Sequence, residues 1–195
     1  MGYQGCANFL YSVPARKEAA MDRAQMTDLK NRLDEIYRQI TITDRSLLKC
    51  EFGESIFDSV DELVKAYEAT DYPNAILHLS AGVDALKVGC LFGILLWSTK
   101  DEGSTVQACR RAWLTQQDER AIEVALSVAD AFPVQDLDLF ERMLNGIQTT
   151  FPKLESLCHF WILAIQRIRE NERKNSPPDI WTSMKTLFQK ILVKK

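Results

Sequence analysis

The sequence predicts an all-α protein, built as a single compact bundle of eight or nine helices. Three observations lead to this fold class. Apolar residues recur every three or four positions along most of the chain, which is typical of amphipathic helices. No stretch alternates apolar and polar residues cleanly enough to indicate a strand. One long segment, 81–97, is apolar on nearly all sides, and such a helix must be surrounded by protein or by lipid.

Composition and charge limit the class of protein. The 195 residues carry a net charge of −3 and are 46% hydrophobic, which are ordinary values for a globular domain. This charge argues against binding nucleic acid through the overall field, so we expect no nucleic-acid partner. The charge is uneven, because residues 1–166 hold 16 basic and 24 acidic residues whereas residues 167–195 hold 8 and 3. An anionic partner is therefore expected at the C-terminal end.

The cysteines and the N-terminus indicate a cytoplasmic location. The five cysteines are scattered along the chain with no Cys-x-x-Cys pair, at Cys6, Cys50, Cys90, Cys109 and Cys158. This pattern is typical of reduced thiols. We expect no secretory signal, because the first residues lack a basic region followed by an apolar one. Association with a membrane surface is the alternative to a purely cytoplasmic protein.

The chain is predicted to have three segments. Residues 1–14 lack helical spacing, so we expect an irregular arm there. Residues 15–175 carry the helical periodicity and are expected to form the bundle domain. The run Asn-Ser-Pro-Pro at 175–178 predicts a hinge. Residues 176–195 are predicted to form an amphipathic helix that docks on the bundle.

The first helices follow from apolar spacing and from the residues that interrupt it. Apolar residues three or four positions apart predict a helix from Ala15 to Ile40. A short helical turn is expected at 45–51. The next helix, 54–70, is expected to carry one apolar stripe, made of Ile56, Phe57, Val60, Leu63, Val64 and Tyr67.

The central helix of the bundle is predicted at about 73–97, with a length of about 37 Å. Its apolar faces include Trp97 at the end of the segment. Asp84 and Lys87 lie near its middle and make insertion into lipid costly. We therefore expect this helix to be buried in protein.

A ridge of small residues follows one face of the central helix. Ala81, Ala85, Gly89 and Gly93 stand at every fourth position. Small residues let the backbones of two helices come close together, so we expect a neighbouring helix to cross at this ridge.

The later helices are separated by proline and by residues that favour helix starts. The same periodicity predicts helices at 104–116, 118–132, 136–150, 152–175 and 179–193.

Catalytic, cofactor and metal sites are not indicated. The two histidines are His78 and His159, and Cys158 cannot pair with His159 because adjacent helical residues point about 100° apart. Glu155 and His159 have a spacing that two metal ligands could use, but we expect a surface pair. Two acidic clusters lack the glycine-centred calcium-loop pattern and are expected to be solvated, namely Asp58, Asp61 and Glu62, and Asp136, Asp138 and Glu141.

The last predicted helix is the strongest candidate for a binding element. Its apolar and basic faces suit an anionic membrane or the groove of a partner protein. The candidate residues are Trp181, Met184, Lys185, Leu187, Phe188, Lys190 and Lys194. At the other end, Gly2 and Cys6 partly match the pattern for attachment of myristoyl and palmitoyl chains.

The sequence therefore predicts a non-enzymatic adaptor or regulatory protein that binds other proteins through bundle grooves and its C-terminal helix. A peripheral protein that binds anionic lipid through the same helix is the first alternative, and an enzyme with an unrecognised site is the second. A homo-oligomer is compatible with these features. The layout of an apolar helix wrapped by amphipathic ones resembles that of Bcl-2-like regulators and of small viral matrix proteins. The Asn-Trp-Gly-Arg signature of the Bcl-2 family has no counterpart in this sequence.

Overall fold

A computed structural model describes residues 21–68 and 70–175 and confirms the all-α class. This part of the chain contains eight α-helices, one turn of 3-10 helix and one β-hairpin. The helices are α1 Arg23–Gln39, α2 Ser55–Tyr67, α3 Tyr72–Leu79, α4 Ala85–Ser98, α5 Ser104–Leu114, α6 Glu119–Ser127, α7 Leu137–Thr150 and α8 Glu155–Asn175. The hairpin consists of β1 Thr41–Asp44 and β2 Lys49–Glu51, and the 3-10 turn covers Pro152–Leu154.

The chain divides into two compact units, Met1–Gln135 and Asp136–Lys195. Within the described residues, the first unit holds α1 to α6 and the hairpin. The second holds α7, the 3-10 turn and α8. The predicted segment boundaries after residues 14 and 175 are not tested by these units and stay predictions.

Helix α1 begins at Arg23, because Asp22 caps it. The Asp22 carboxylate accepts a hydrogen bond from the backbone N–H of Gln25, whose side chain in turn accepts one from the N–H of Asp22. The predicted start at Ala15 lies outside the described residues, but residues 21 and 22 are not helical. The apolar spacing that predicts this helix corresponds to its buried face, since Leu29, Leu33 and Ile36 are buried.

The hairpin replaces the helical turn that was predicted at 45–51, and that prediction is wrong. The β-branched run at 41–43 favours extended backbone. The Asp44 carboxylate then accepts hydrogen bonds from the backbone N–H groups of Ser46 at 2.9 Å and Leu47 at 3.2 Å, which closes a tight turn. The two strands are antiparallel, with Ile42 opposite Cys50. Strands of three and four residues are too short to show a clear alternation in sequence.

The predicted central helix is interrupted, and the expectation of one continuous helix over 73–97 is wrong. Helix α3 ends at Leu79 and α4 starts at Ala85. Asp84 is the N-cap of α4, and its carboxylate accepts a hydrogen bond from the N–H of Leu86 at 3.0 Å. Asp84 therefore ends the break between α3 and α4, and is not a charge inside a continuous helix.

The residues between α3 and α4 are held by polar contacts within the first unit. The Tyr37 hydroxyl lies 2.7 Å from the Ser80 hydroxyl in the buried interior. The Arg120 guanidinium donates to the carbonyl oxygen of Ser80 at 3.2 Å and to that of Val83. These donors satisfy backbone carbonyls that a continuous helix would have paired internally.

Helix α4 is the buried apolar helix of the first unit, as predicted. Ten of its fourteen residues are buried, including Leu91 and Phe92. Trp97 is a correction, because 75% of its surface is exposed. It lies in the last turns of α4, about two helical turns after half-buried Cys90.

Helix α6 is the neighbour that crosses α4 at small residues. A Cβ placed on Gly89 would lie 2.5 Å from the carbonyl oxygen of Ser127, and one placed on Gly93 would collide with the Asp130 carboxylate. The predicted close approach is therefore confirmed at Gly89. Ala81 lies before α4 and does not continue the ridge.

Helix α6 ends at Ser127, whereas the predicted helix continues to residue 132. The reason is a buried arginine that donates hydrogen bonds to carbonyl groups in the last turn of α6 and after it. Arg110 is fully buried and donates hydrogen bonds to the carbonyl oxygens of Ala125 at 2.7 Å, Val128 at 2.5 Å and Ala131 at 2.5 Å. These contacts hold the chain after α6 in a non-helical path.

The second unit is a pair of helices, α7 and α8, that pack on each other. Asp136 caps α7, which confirms the predicted start of this helix at 136, and its carboxylate accepts a hydrogen bond from the N–H of Leu139 at 2.9 Å. Phe140 and Trp161 meet edge to face with ring centroids 5.7 Å apart.

Within the described ranges, none of the helices combines the length and apolar character needed to cross a membrane.

Candidate functional site

Two phenylalanines lie exposed next to each other where the hairpin leads into α2. The rings of Phe52 and Phe57 meet edge to face, with centroids 5.7 Å apart and an angle of 77° between their planes. Phe52 is 39% exposed and Phe57 is 46% exposed. Single exposed apolar residues are normal on a protein surface, whereas two rings in contact present one continuous apolar area.

The position of Phe57 corrects the sequence-based interpretation. The predicted apolar stripe of α2 included Phe57 together with Ile56, Val60 and Leu63. The structure buries Ile56, Val60 and Leu63 completely, whereas Phe57 points to solvent. Phe57 follows Ile56 directly and so lies about 100° away around the helix, at the edge of the buried stripe.

Carboxylates flank both phenylalanines in the sequence. Residues 51–62 contain five acidic side chains and no lysine or arginine. We call the two phenylalanines and these carboxylates the acidic aromatic surface, which comprises Glu51, Phe52, Glu54, Phe57, Asp58, Asp61 and Glu62. Its acidic members are exposed. In the part of the chain that the structure describes, Glu62 alone among them makes an ion pair, with Arg32 at 3.8 Å.

Helix α2 is fixed to α1 by a tyrosine that donates a hydrogen bond to a carboxylate. The Tyr67 hydroxyl donates a hydrogen bond to Asp28 at 2.6 Å, and Arg32 donates one to the same carboxylate at 2.8 Å. Burial and the hydrogen bond to Asp28 raise the pKa of Tyr67 to about 12. The hydrogen bonds from Tyr67 and Arg32 lower the pKa of Asp28 below its ordinary value. This contact holds α2 against α1, and α2 carries Phe57, Asp58, Asp61 and Glu62 of the acidic aromatic surface.

The binding residues predicted at the two ends of the chain lie outside the described residues. They are Gly2 and Cys6 at the N-terminus and Trp181, Met184, Lys185, Leu187, Phe188, Lys190 and Lys194 at the C-terminus. Their predicted roles in lipid attachment and in partner or membrane binding stay predictions.

The side chains that could serve in catalysis or as a metal-ligand pair are His78, Glu155, Cys158 and His159. His78 and His159 are exposed, and Cys158 is buried. Glu155 is exposed and accepts a hydrogen bond from Gln148 at 3.3 Å. Among the described residues, no group of three or more histidine, cysteine or acidic side chains is arranged to hold a metal ion.

The second acidic cluster has a structural partner that the sequence did not reveal. Arg169 of α8 donates hydrogen bonds to Glu141 at 2.7 Å and to Asp138 at 2.5 Å. The Glu141 and Asp138 carboxylates raise the pKa of Arg169 above its ordinary value. This ion pair joins α7 to α8, whereas the cluster on α2 has no comparable set of basic partners among the described residues.

Sequence reasoning did not identify the acidic aromatic surface, although one signal was present. The absence of any basic residue over 51–62 distinguishes this stretch from the mixed charges of α1. The spacing of apolar residues does not predict the exposure of Phe57, because its position fits a buried member of the apolar stripe as well as an exposed residue at the edge of the stripe.

Comparison with protein-family models, with curated proteins and with solved structures gives no match for this chain.

Proposed function

We propose that this chain is a non-enzymatic protein-binding module, and that its acidic aromatic surface binds a basic, amphipathic segment of a partner protein. The observation that carries this proposal is the exposed, edge-to-face pair of Phe52 and Phe57. Phenylalanine is one of the aromatic residues that are enriched in protein interfaces relative to the rest of the surface. A pair that is already in contact presents a larger apolar area than either ring alone.

The surrounding charge defines the chemistry of the partner. Five carboxylates lie within residues 51–62 without a basic side chain, so they favour lysine or arginine on the partner and repel acidic segments. A lysine or arginine placed over a phenylalanine face would also gain a cation–π interaction. An apolar side chain of the partner would pack against the exposed ring edges.

Selection of peptides from a random displayed library against the purified protein tests this chemistry. We expect the selected peptides to combine an aromatic or leucine anchor with several lysines or arginines. Their binding should weaken as the salt concentration rises from about 50 to about 500 mM, because salt screens the attraction between exposed charges. The combined substitution Asp58→Lys and Asp61→Lys should weaken binding at least about tenfold, or about 1.4 kcal/mol.

A charge reversal elsewhere provides the matched control. Glu170 is an exposed carboxylate of α8, in the second unit. Glu170→Lys changes net charge in the same direction and should leave peptide affinity within about twofold. Selected peptides that lack basic residues, or that bind the Asp58→Lys, Asp61→Lys protein as well as the natural one, would contradict the proposal.

The basic C-terminal segment is a second proposed contact, and it rests on sequence alone. Residues 176–195 hold four lysines and one aspartate among apolar residues. The alternative is that this segment binds an anionic membrane and not a partner protein. Flotation of the full chain with vesicles of phosphatidylcholine and phosphatidylserine distinguishes these two possibilities.

If the chain binds proteins and not membranes, we expect it to stay at the bottom of the density gradient, apart from the vesicles, even at low salt. Flotation that depends on phosphatidylserine and is lost in the combined Lys185→Glu, Lys190→Glu and Lys194→Glu variant would instead support the membrane alternative. Flotation of the same extent for that variant would contradict a role for the basic face.

A further inference from the structure

Two cysteines that are far apart in sequence lie side by side in the first unit. Cys50 is the middle residue of β2, and Cys90 lies in α4. The Cys50 sulfur lies 3.9 Å from the carbonyl oxygen of Leu86, and Cys90 stands one helical turn after Leu86 on the same face. Each of the two thiols also shifts the pKa of the other, as expected for side chains that lie near one another. Both residues are half-buried, so small reagents can reach the pair.

We propose that Cys50 and Cys90 form an intramolecular disulfide when the protein meets a small-molecule disulfide such as oxidised glutathione. The bridge would fasten the hairpin to α4. Nothing in the proposed binding function depends on it, although it lies in the same unit as the acidic aromatic surface.

The exchange has two steps. The Cys50 thiolate attacks one sulfur of oxidised glutathione, which breaks that disulfide and releases one glutathione thiolate to take up a proton. Cys90 then gives up its proton, and its sulfur attacks the Cys50 sulfur and releases the second glutathione. The two protein thiols together lose two hydrogen atoms, and the glutathione disulfide is reduced to two thiols.

The charges around the pair favour Cys50 as the first nucleophile. Burial raises the pKa of Cys50, and Asp84 adds to this, whereas the Cys90 side chain, Lys87 and Arg45 lower it. Burial raises the pKa of Cys90 much further, and Cys50 and Asp130 act in the same direction. Cys50 therefore supplies the larger thiolate fraction, and Cys90 resolves the mixed disulfide.

Peptide mapping of the oxidised full-length protein tests the proposal directly. Each of the five cysteines falls on a different tryptic peptide, with Cys50 in 50–65 and Cys90 in 88–100. After oxidised glutathione, alkylation and digestion, we expect these two peptides to be joined and two hydrogen atoms lighter than their sum. The rate of bridging should rise about tenfold per pH unit from pH 7 to 9, because the thiolate fraction does so below the pKa.

Single substitutions show whether the bridge is specific. In the Cys50→Ser variant, we expect neither the disulfide nor a glutathione adduct on Cys90. In the Cys90→Ser variant, the reaction should stop at a glutathione adduct on Cys50. Cys109→Ser is the matched control, because Cys109 is also half-buried, and it should bridge like the natural protein. Circular dichroism of each variant checks that it is folded. Stable glutathione adducts in the natural protein, unreacted Cys50 and Cys90, or joining of other cysteine peptides in preference to this pair would overturn the proposal.

Discussion

Replacing Arg110 with methionine is expected to lower the free energy of unfolding by about 3 kcal/mol or more. Arg110 is fully buried, and its guanidinium donates to three backbone carbonyl groups at and after the end of α6. Methionine fills similar space but leaves those carbonyls without their donor, and each buried unsatisfied group costs about 1–3 kcal/mol. Burial lowers the pKa of Arg110 to about 9, so the side chain is still charged at neutral pH.

Urea unfolding followed by circular dichroism measures this change, and the adjacent arginine supplies the control. Arg111 follows Arg110 in α5 but is exposed. Arg111→Met should change stability by less than about 0.5 kcal/mol, as is usual for surface substitutions. If the two variants unfold within about 1 kcal/mol of each other, Arg110 does not organise the end of α6.

Replacing Gly89 with alanine is expected to destabilise the first unit by about 2 kcal/mol. The added Cβ would lie 2.5 Å from the carbonyl oxygen of Ser127 and 2.6 Å from its carbonyl carbon. Backbone atoms of α6 cannot swing aside as a side chain can, so α4 and α6 would have to separate. This strain should exceed the gain of about 1 kcal/mol that alanine brings to a helix interior.

Two other glycines separate the effect of packing from that of helix propensity. The Cβ of Gly93→Ala would meet the carboxylate end of Asp130, which can rotate away, so this variant should cost less than Gly89→Ala. A Cβ on Gly146 meets nothing within 4 Å, so Gly146→Ala should raise stability by about 0.5–1 kcal/mol. Equal stabilities of the Gly89→Ala and Gly146→Ala proteins, measured by thermal unfolding, would refute the close contact between α4 and α6.

The burial of α4 and its close contact with a neighbour could be predicted from the sequence. A segment that is apolar all round has no solvent face to expose, and Gly89 marks where another backbone fits. The break before α4 is not evident from the apolar pattern, because Asp84 can also be read as a charge within a continuous helix. Its preference for a helix start was the better guide.

Other features depend on tertiary contacts that no local pattern contains. The hydrogen bonds from Arg110 to backbone carbonyl groups end α6 at Ser127, although apolar residues with helical spacing continue beyond Ser127 in the sequence. The pairing of Cys50 with Cys90 joins positions that are forty residues apart. The exposure of Phe57 is decided by how α2 packs, since the same spacing would also fit a buried stripe.

The affinity of one selected basic peptide for the natural protein and for the combined Phe52→Ala, Phe57→Ala variant tests the proposed function most directly. Titration calorimetry is expected to show at least a tenfold loss, or about 1.4 kcal/mol, because both exposed rings are removed. Leu163→Ala is the control, since Leu163 is an exposed apolar residue of α8, and it should bind the peptide as the natural protein does. Equal affinities of the natural protein and the double variant would contradict a binding role for the acidic aromatic surface.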